Sequence, residues 1–116
     1  MSRGRISQLI FAAALLLAGG VANFAAADDL TQIPVAIKDH RFNPTEIFVP
    51  AGKAVVLNIK NEDSTAEEFD SSALKVEKVI AGGNTGSVRL RPLGPGRYPF
   101  MGEYHSDTAQ GAVIAK

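Results

Sequence analysis

Apolar residues recur at every second position through most of the chain beyond residue 30, and that period decides the class of fold. Val55, Leu57 and Ile59 alternate with Ala54, Val56, Asn58 and Lys60. Val88 and Leu90 alternate with Ser87, Arg89 and Arg91, and Val35 and Ile37 with Ala36 and Lys38. Successive side chains of a strand point to opposite faces, so this pattern describes ribbons with one face buried. Turn-forming residues separate the ribbons at Asn43-Pro44, Pro50-Ala51-Gly52, Asn61 to Ser64, Ala81 to Asn84 and Leu93-Gly94-Pro95-Gly96. Short strands with turns at this spacing predict an antiparallel β-sandwich. No long helix is predicted after residue 27. The stretch Ser71 to Val79 reads either as one helical turn capped by Ser71 or Ser72, or as a brief excursion between sheets. Phe42, Phe48, Phe69 and Phe100 are predicted to lie in the core. Tyr98, two residues after Gly96, is placed to bond backbone across a loop through its hydroxyl.

The beginning of the chain follows a different logic. Arg3 and Arg5 precede a 13-residue apolar run, Leu9 to Val21, and small residues at Ala25 and Ala27 come before Asp28 and Asp29. That is the three-part layout of a secretory signal peptide, predicted to be cleaved after Ala27. The run is well short of the ~20 residues a membrane-spanning helix requires. Residues 1–27 are therefore read as a leader and residues 28–116 as a single domain of 89 residues. Arg3 and Arg5 leave with the leader, so ten Lys/Arg face twelve Asp/Glu, a formal charge of −2. This balance gives no footprint for nucleic acid or anionic lipid. The chain has no cysteine, so an exported domain of this kind holds together by packing or by a ligand, without disulfides. No nucleophile–base pair in motif context and no phosphate-cradling glycine loop supports a hydrolase.

Two stretches carry a family likeness. Residues 42–71 (FNPTEIFVPAGKAVVLNIKNEDSTAEEFDS) and 93–116 (LGPGRYPFMGEYHSDTAQGAVIAK) resemble the cupredoxin family. The shared elements are F-x-P, V-P-A-G-K, an apolar strand ending at Asn61, x-E-F, P-G-x-Y and a final loop carrying His105. More narrowly, the chain is similar to small cupredoxin-like proteins related to the EfeO-type domain of bacterial iron-uptake lipoproteins. The resemblance implies an all-β Greek-key sandwich forming a single domain after the signal peptide, in the periplasm. It also implies a copper or iron ion and a part in ferrous-iron uptake that extends to assisting Fe(II) oxidation. The implied partners are a periplasmic metal-binding protein and an inner-membrane iron permease.

Blue-copper sites use an early His, a Cys, a later His and a weak axial ligand. By resemblance these positions fall on Glu68, Gly102, His105 and Gln110. Without a thiolate there is no intense blue chromophore. Oxygen and nitrogen donors remain, among them Glu67, Glu68, Asp70, Glu77, Glu103, His105 and Asp107, with Met101 nearby. Glu68 converging with His105 would suit Cu(II), iron, Mn or Zn. The metal set implied is His105, Glu68, Glu103, Glu77 and Gln110.

Each has an ordinary reading beside the functional one. His105 is otherwise a solvated loop histidine, Glu68 a charged strand edge beside Glu67, and Glu77 half of a surface pair with Lys78. By alternation Glu68 faces the site and Glu67 faces away, while Glu103 and Met101 point opposite to Gly102. Gly102 itself can allow a close loop approach. His40 has no counterpart among the family's ligands and is read as exposed. Two functions follow: a periplasmic cupredoxin-like metal-binding protein without a blue site, or a metal-free interaction module that docks a metal-carrying periplasmic partner or permease.

Overall fold

The computed structural model describes residues 30–116, so the expected leader and its cleavage after Ala27 lie outside the described residues. The alternating segments become strands: β1 Thr31–Lys38, β2 Arg41–Asn43, β3 Glu46–Val49, β4 Val55–Asn61, β5 Glu67–Ser71, β6 Val76–Ile80, β7 Thr85–Leu90, β8 Gly96–Gly102 and β9 Gln110–Ala115. A 3₁₀ turn, Glu103–His105, follows β8 directly. The strands form a four-stranded sheet ordered β2-β1-β4-β7 and a five-stranded sheet ordered β3-β9-β8-β5-β6, packed as a β-sandwich.

The sheets are mixed rather than purely antiparallel. β1 runs parallel to β4, with Ile33 opposite Leu57 and Val35 opposite Ile59. β3 runs parallel to β9, with Ile47 opposite Val113. Both parallel pairs join strands whose connecting chain visits the opposite sheet before returning, which a two-residue hairpin could not do.

Period two places the core as the sequence indicates: Val35, Ile37, Val55, Leu57, Ile59, Val88 and Leu90 are all buried. Phe42, Phe69 and Phe100 gather at its centre, with ring centroids 4.8–5.9 Å apart. Such aromatic pairs contribute about 0.5–1.5 kcal/mol beyond their area. Phe48 departs from expectation: it is 55% exposed, because Ile47 and Val49 on the same strand take the inward positions. Its ring instead lies 4.9 Å from the Lys116 ammonium. The segment after β5 forms a turn and no helix, and the Leu74 N–H donates to Ser71 Oγ at 3.0 Å. Tyr98 donates its hydroxyl to the Gly94 carbonyl at 2.9 Å.

Charge is divided between the sheets. The strands of the four-stranded sheet carry Lys38, Arg41, Lys60 and Arg89 and no carboxylate. Those of the five-stranded sheet carry Glu46, Glu67, Glu68, Asp70 and Glu77 against Lys78 and Arg97.

Phe69→Ala is expected to cost about 3–5 kcal/mol, because it empties the centre of the aromatic cluster. Phe48→Ala should cost under about 1 kcal/mol, the worth of an exposed cation–π contact. Urea unfolding of both variants measures the contrast. A circular dichroism spectrum of chelator-treated protein should retain its β signature, since the core is complete without an ion.

Candidate functional site

Three connections meet at one end of the sandwich, and each is fixed by a side chain. The β1–β2 turn is a tight hairpin in which Lys38 pairs with Arg41 and the two central residues, Asp39 and His40, have φ of 52° and 58°. Two left-handed residues suit the twist of a two-residue hairpin but are unfavourable for residues other than Gly, Asn or Asp. Asp63 holds the conformation from across the end: its carboxylate accepts the Asp39 N–H at 2.8 Å and the His40 N–H at 3.0 Å. The His40 N–H bond is the main cause that keeps the Asp63 carboxyl below its ordinary 3.8. Burial opposes it, and the Asp39 N–H and the imidazoles of His40 and His105 reinforce it. Thr108 Oγ1 donates to the His40 carbonyl at 2.7 Å and so ties this turn to the β8–β9 loop. Asn61, fully buried, donates to the carbonyls of Thr65 and Ile80 and accepts the Asp63 N–H, which fixes the β4–β5 loop.

At the centre stands Glu67, only 1% exposed. Its Oε1 accepts N–H bonds from Glu68 at 3.0 Å and Tyr104 at 2.9 Å, and its Oε2 lies 2.6 Å from His105 Nδ1. A buried carboxylate needs such donors to offset its lost hydration. The expected orientation of the two glutamates is thereby reversed. Phe69 and Ser71 face inward on β5, so Glu67, two positions before Phe69, faces inward too. Glu68 turns to the outer face opposite Val79. The parity of Phe69, itself predicted as core, is the signal that identifies Glu67.

Gly102 is buried against this carboxylate. A Cβ there would lie 2.6 Å from Glu67 Cδ and 2.7 Å from Ala109 Cβ, closer than real side chains approach. Ala109, fully buried, bonds the Gly102 N–H through its carbonyl at 2.8 Å. It occupies the inward position near the end of the loop. Gln110 is exposed and donates its amide to the Ser106 carbonyl at 2.7 Å.

The five residues expected around one ion are therefore distributed over two faces. His105 meets Glu67, not Glu68. Glu77 lies on the outer face of β6 beside Asp70, and Glu103 is exposed in the 3₁₀ turn. Burial, followed by the charges of Glu77, Asp70 and Glu103, raises the Glu68 carboxyl above its ordinary 4.5. Among the described residues, no group of three or more His, Cys, Asp or Glu side chains is arranged to hold a metal ion. The residue that does approach His105 is one read as exposed: the His40 ring is half-buried and its centroid lies 3.6 Å from that of His105, at 76°. Its distant partner left no mark in the local sequence.

A family model for the cupredoxin-like domain matches residues 8–115. RP394, an uncharacterised protein of Rickettsia prowazekii (strain Madrid E), is 40% identical over 87 residues, which is 75% of this chain and 70% of that one. Auracyanin A, a "blue" copper protein of Chloroflexus aurantiacus, superposes with a TM-score of 0.63 at 17% identity, over 76% of this chain and 100% of its own. The metal-binding domain of the Cu(I)-exporting P-type ATPase CopA of Streptococcus pneumoniae D39, solved with Cu(I), gives 0.64 at 13% identity, over 77% of this chain and 88% of its own. At such identities both structures speak for the fold alone. A thiolate-held copper does not fit this chain, because the Glu67 carboxyl group fills the space a side chain at Gly102 would need.

Gly102→Ala should destabilise the protein by about 1–3 kcal/mol through overpacking. That penalty should shrink by at least about 0.5 kcal/mol in a Glu67→Ala background, since the two sites touch. A double-mutant cycle in urea tests it. Asp63 gives a second expectation. Its folded carboxyl is depressed, so its stabilisation is complete above the ordinary 3.8 and is lost as pH falls through the lowered value. Asp63→Asn should therefore flatten the decline of the urea midpoint between about pH 5 and pH 2.

Proposed function

The chain belongs to the cupredoxin-like domain family, and from that footing we propose that it is an exported, periplasmic metal-binding protein that supports ferrous-iron uptake. Copper or iron would be held through imidazole and oxygen donors at the His105 end of the sandwich. One observation carries the metal reading: His105 Nδ1 lies 2.6 Å from a buried carboxylate. Metal-ligating histidines characteristically give one ring N–H to such a group, which fixes the tautomer and presents the other nitrogen to the ion. Here Glu67 takes Nδ1–H and leaves Nε2 as the unprotonated nitrogen of a side chain that is 27% exposed. A bound copper ion would supply a one-electron couple. The leader-like residues 1–27 support export, and the likeness of residues 42–71 and 93–116 to EfeO-type domains supports the link to iron.

A separate observation favours a docking role. On the outer face of the five-stranded sheet, Glu77, Asp70, Met101 and Gln110 form one cross-strand row. Glu68 and the 52% exposed Val79 pair in the same ladder, and Tyr104, 51% exposed, lies in the adjoining 3₁₀ turn. An acidic surface with interspersed apolar side chains suits a cationic protein partner. By resemblance the partner would be the periplasmic metal-binding protein or the inner-membrane permease.

Titration of chelator-stripped protein with Cu(II) and Fe(II) tests the metal reading. Binding at one equivalent with only a weak d–d absorption is expected for Cu(II), since the thiolate donor of an intense band is missing. His105→Ala should abolish most of that affinity, and Glu67→Gln should lower it about 10- to 100-fold by releasing the ring. Wild-type protein that takes up neither ion would leave the docking role as the better account.

A further inference from the structure

We infer that His40 is the second nitrogen donor of this site and that the imidazoles of His40 and His105 take Cu(II) together, their rings parting from the present edge contact to admit it, outside the interior position that Glu67 fills. The inference rests on the reading of His105 as a ligand and adds a residue to which the cupredoxin resemblance assigns no role.

Three observations carry it. The rings of His40 and His105 approach edge to face, with centroids 3.6 Å apart, although they come from separate connections. Both are half-buried at the rim of the sandwich, where an ion can reach them.

His40 is also held in place more firmly than an exposed turn residue needs to be. It has a left-handed φ of 58°, its N–H is bonded to Asp63 and its carbonyl to Thr108. Thr108 belongs to the loop that carries His105 and also reaches that residue's carbonyl at 3.4 Å, so one hydroxyl couples the two imidazole-bearing segments. Backbone strain held by the surrounding structure in this way is typical of positions that must present a side chain in one place.

The third observation is the set of neighbouring groups. Glu67 engages Nδ1 of His105, whereas neither ring nitrogen of His40 is hydrogen-bonded to another described residue. Two carboxylates, Glu67 behind His105 and Asp63 beneath the His40 turn, stand ready to balance a dication without themselves filling its coordination sphere.

The donor set selects the metal. Imidazole nitrogens without sulfur favour divalent first-row ions, and among these Cu(II) binds most tightly at a given site. Two protein nitrogens leave the remaining positions to water or to a donor from an approaching molecule. Glu67 and Asp63, the carboxylates beside the pair, are already engaged with His105 and with the backbone of the β1–β2 turn. A site so open would exchange its ion readily, which suits delivery more than storage.

Electron paramagnetic resonance of the purified protein with one equivalent of Cu(II) tests the assignment, with pulsed measurements counting coordinated imidazoles. Two are expected in the wild type and one in His40→Asn, a replacement that tolerates the left-handed conformation. Affinity should fall at least about tenfold in His40→Asn, and an equimolar addition of Zn(II) should leave the Cu(II) signal in place. One imidazole in the wild type, or equal affinity in wild type and a folded His40→Asn, would overturn the role of His40 while leaving the metal reading intact. Loss of the signal to Zn(II) would overturn the choice of copper. If the wild type binds no Cu(II), the metal reading itself fails and this assignment with it.

Discussion

A carboxylate sealed from water sets the terms for the whole loop end. Glu67 cannot remain inside the sandwich unless donors reach both of its oxygens, and they come from three places. The next residue of its own strand supplies one N–H, the 3₁₀ turn supplies that of Tyr104, and His105 supplies a ring nitrogen. The chain after β8 must therefore turn immediately, so that Tyr104 and His105 both face Glu67. That approach leaves no room for a side chain at Gly102 and little for one at Ala109. The identities of Gly102, His105 and Ala109 and the 3₁₀ geometry between them thus trace to one buried acid.

The scaffold beneath is indifferent to this arrangement. The aromatic cluster of Phe42, Phe69 and Phe100 and the aliphatic strands around it form a continuous core. Polar fastening is concentrated instead in the connections: Asn61 secures the β4–β5 loop, Asp63 the β1–β2 turn, and Thr108 links that turn to the β8–β9 loop. The fold supplies a rigid frame and the three connections supply the chemistry, a division of labour common in proteins that present functional groups on loops.

Much of the frame was legible in the sequence because alternation is a local signal. The buried faces of β1, β4 and β7, the aromatic centre and the Tyr98–Gly94 bond all follow from residue type and spacing. What was not legible depends on parity or on distant partners. Glu67 and Glu68 are chemically identical neighbours, and only the inward setting of Phe69 separates the fully buried one from the half-buried one on the outer face. Phe48 is the largest apolar residue of its strand, yet Ile47 and Val49 place it outside, because a strand can bury only alternate residues. Parallel pairing of β1 with β4 and of β3 with β9 is a property of the path through both sheets. His40 acquires its meaning from Asp63, His105 and Thr108, none of which lies near it in sequence.

The separation of charge between the two sheets has an electrical consequence. With four cations and no carboxylate on the strands of one layer, and five carboxylates against two cations on those of the other, the strands contribute a dipole moment directed through the thickness of the sandwich. Net attraction to a charged surface is then weak, but the torque on approach is not, and it acts within a Debye length of about 8–10 Å at moderate salt. A cationic surface would meet the β5–β6–β8 layer first, an anionic one the β1–β4–β7 layer. In both encounters the layer faces lead, and the end that carries His40 and His105 lies between them.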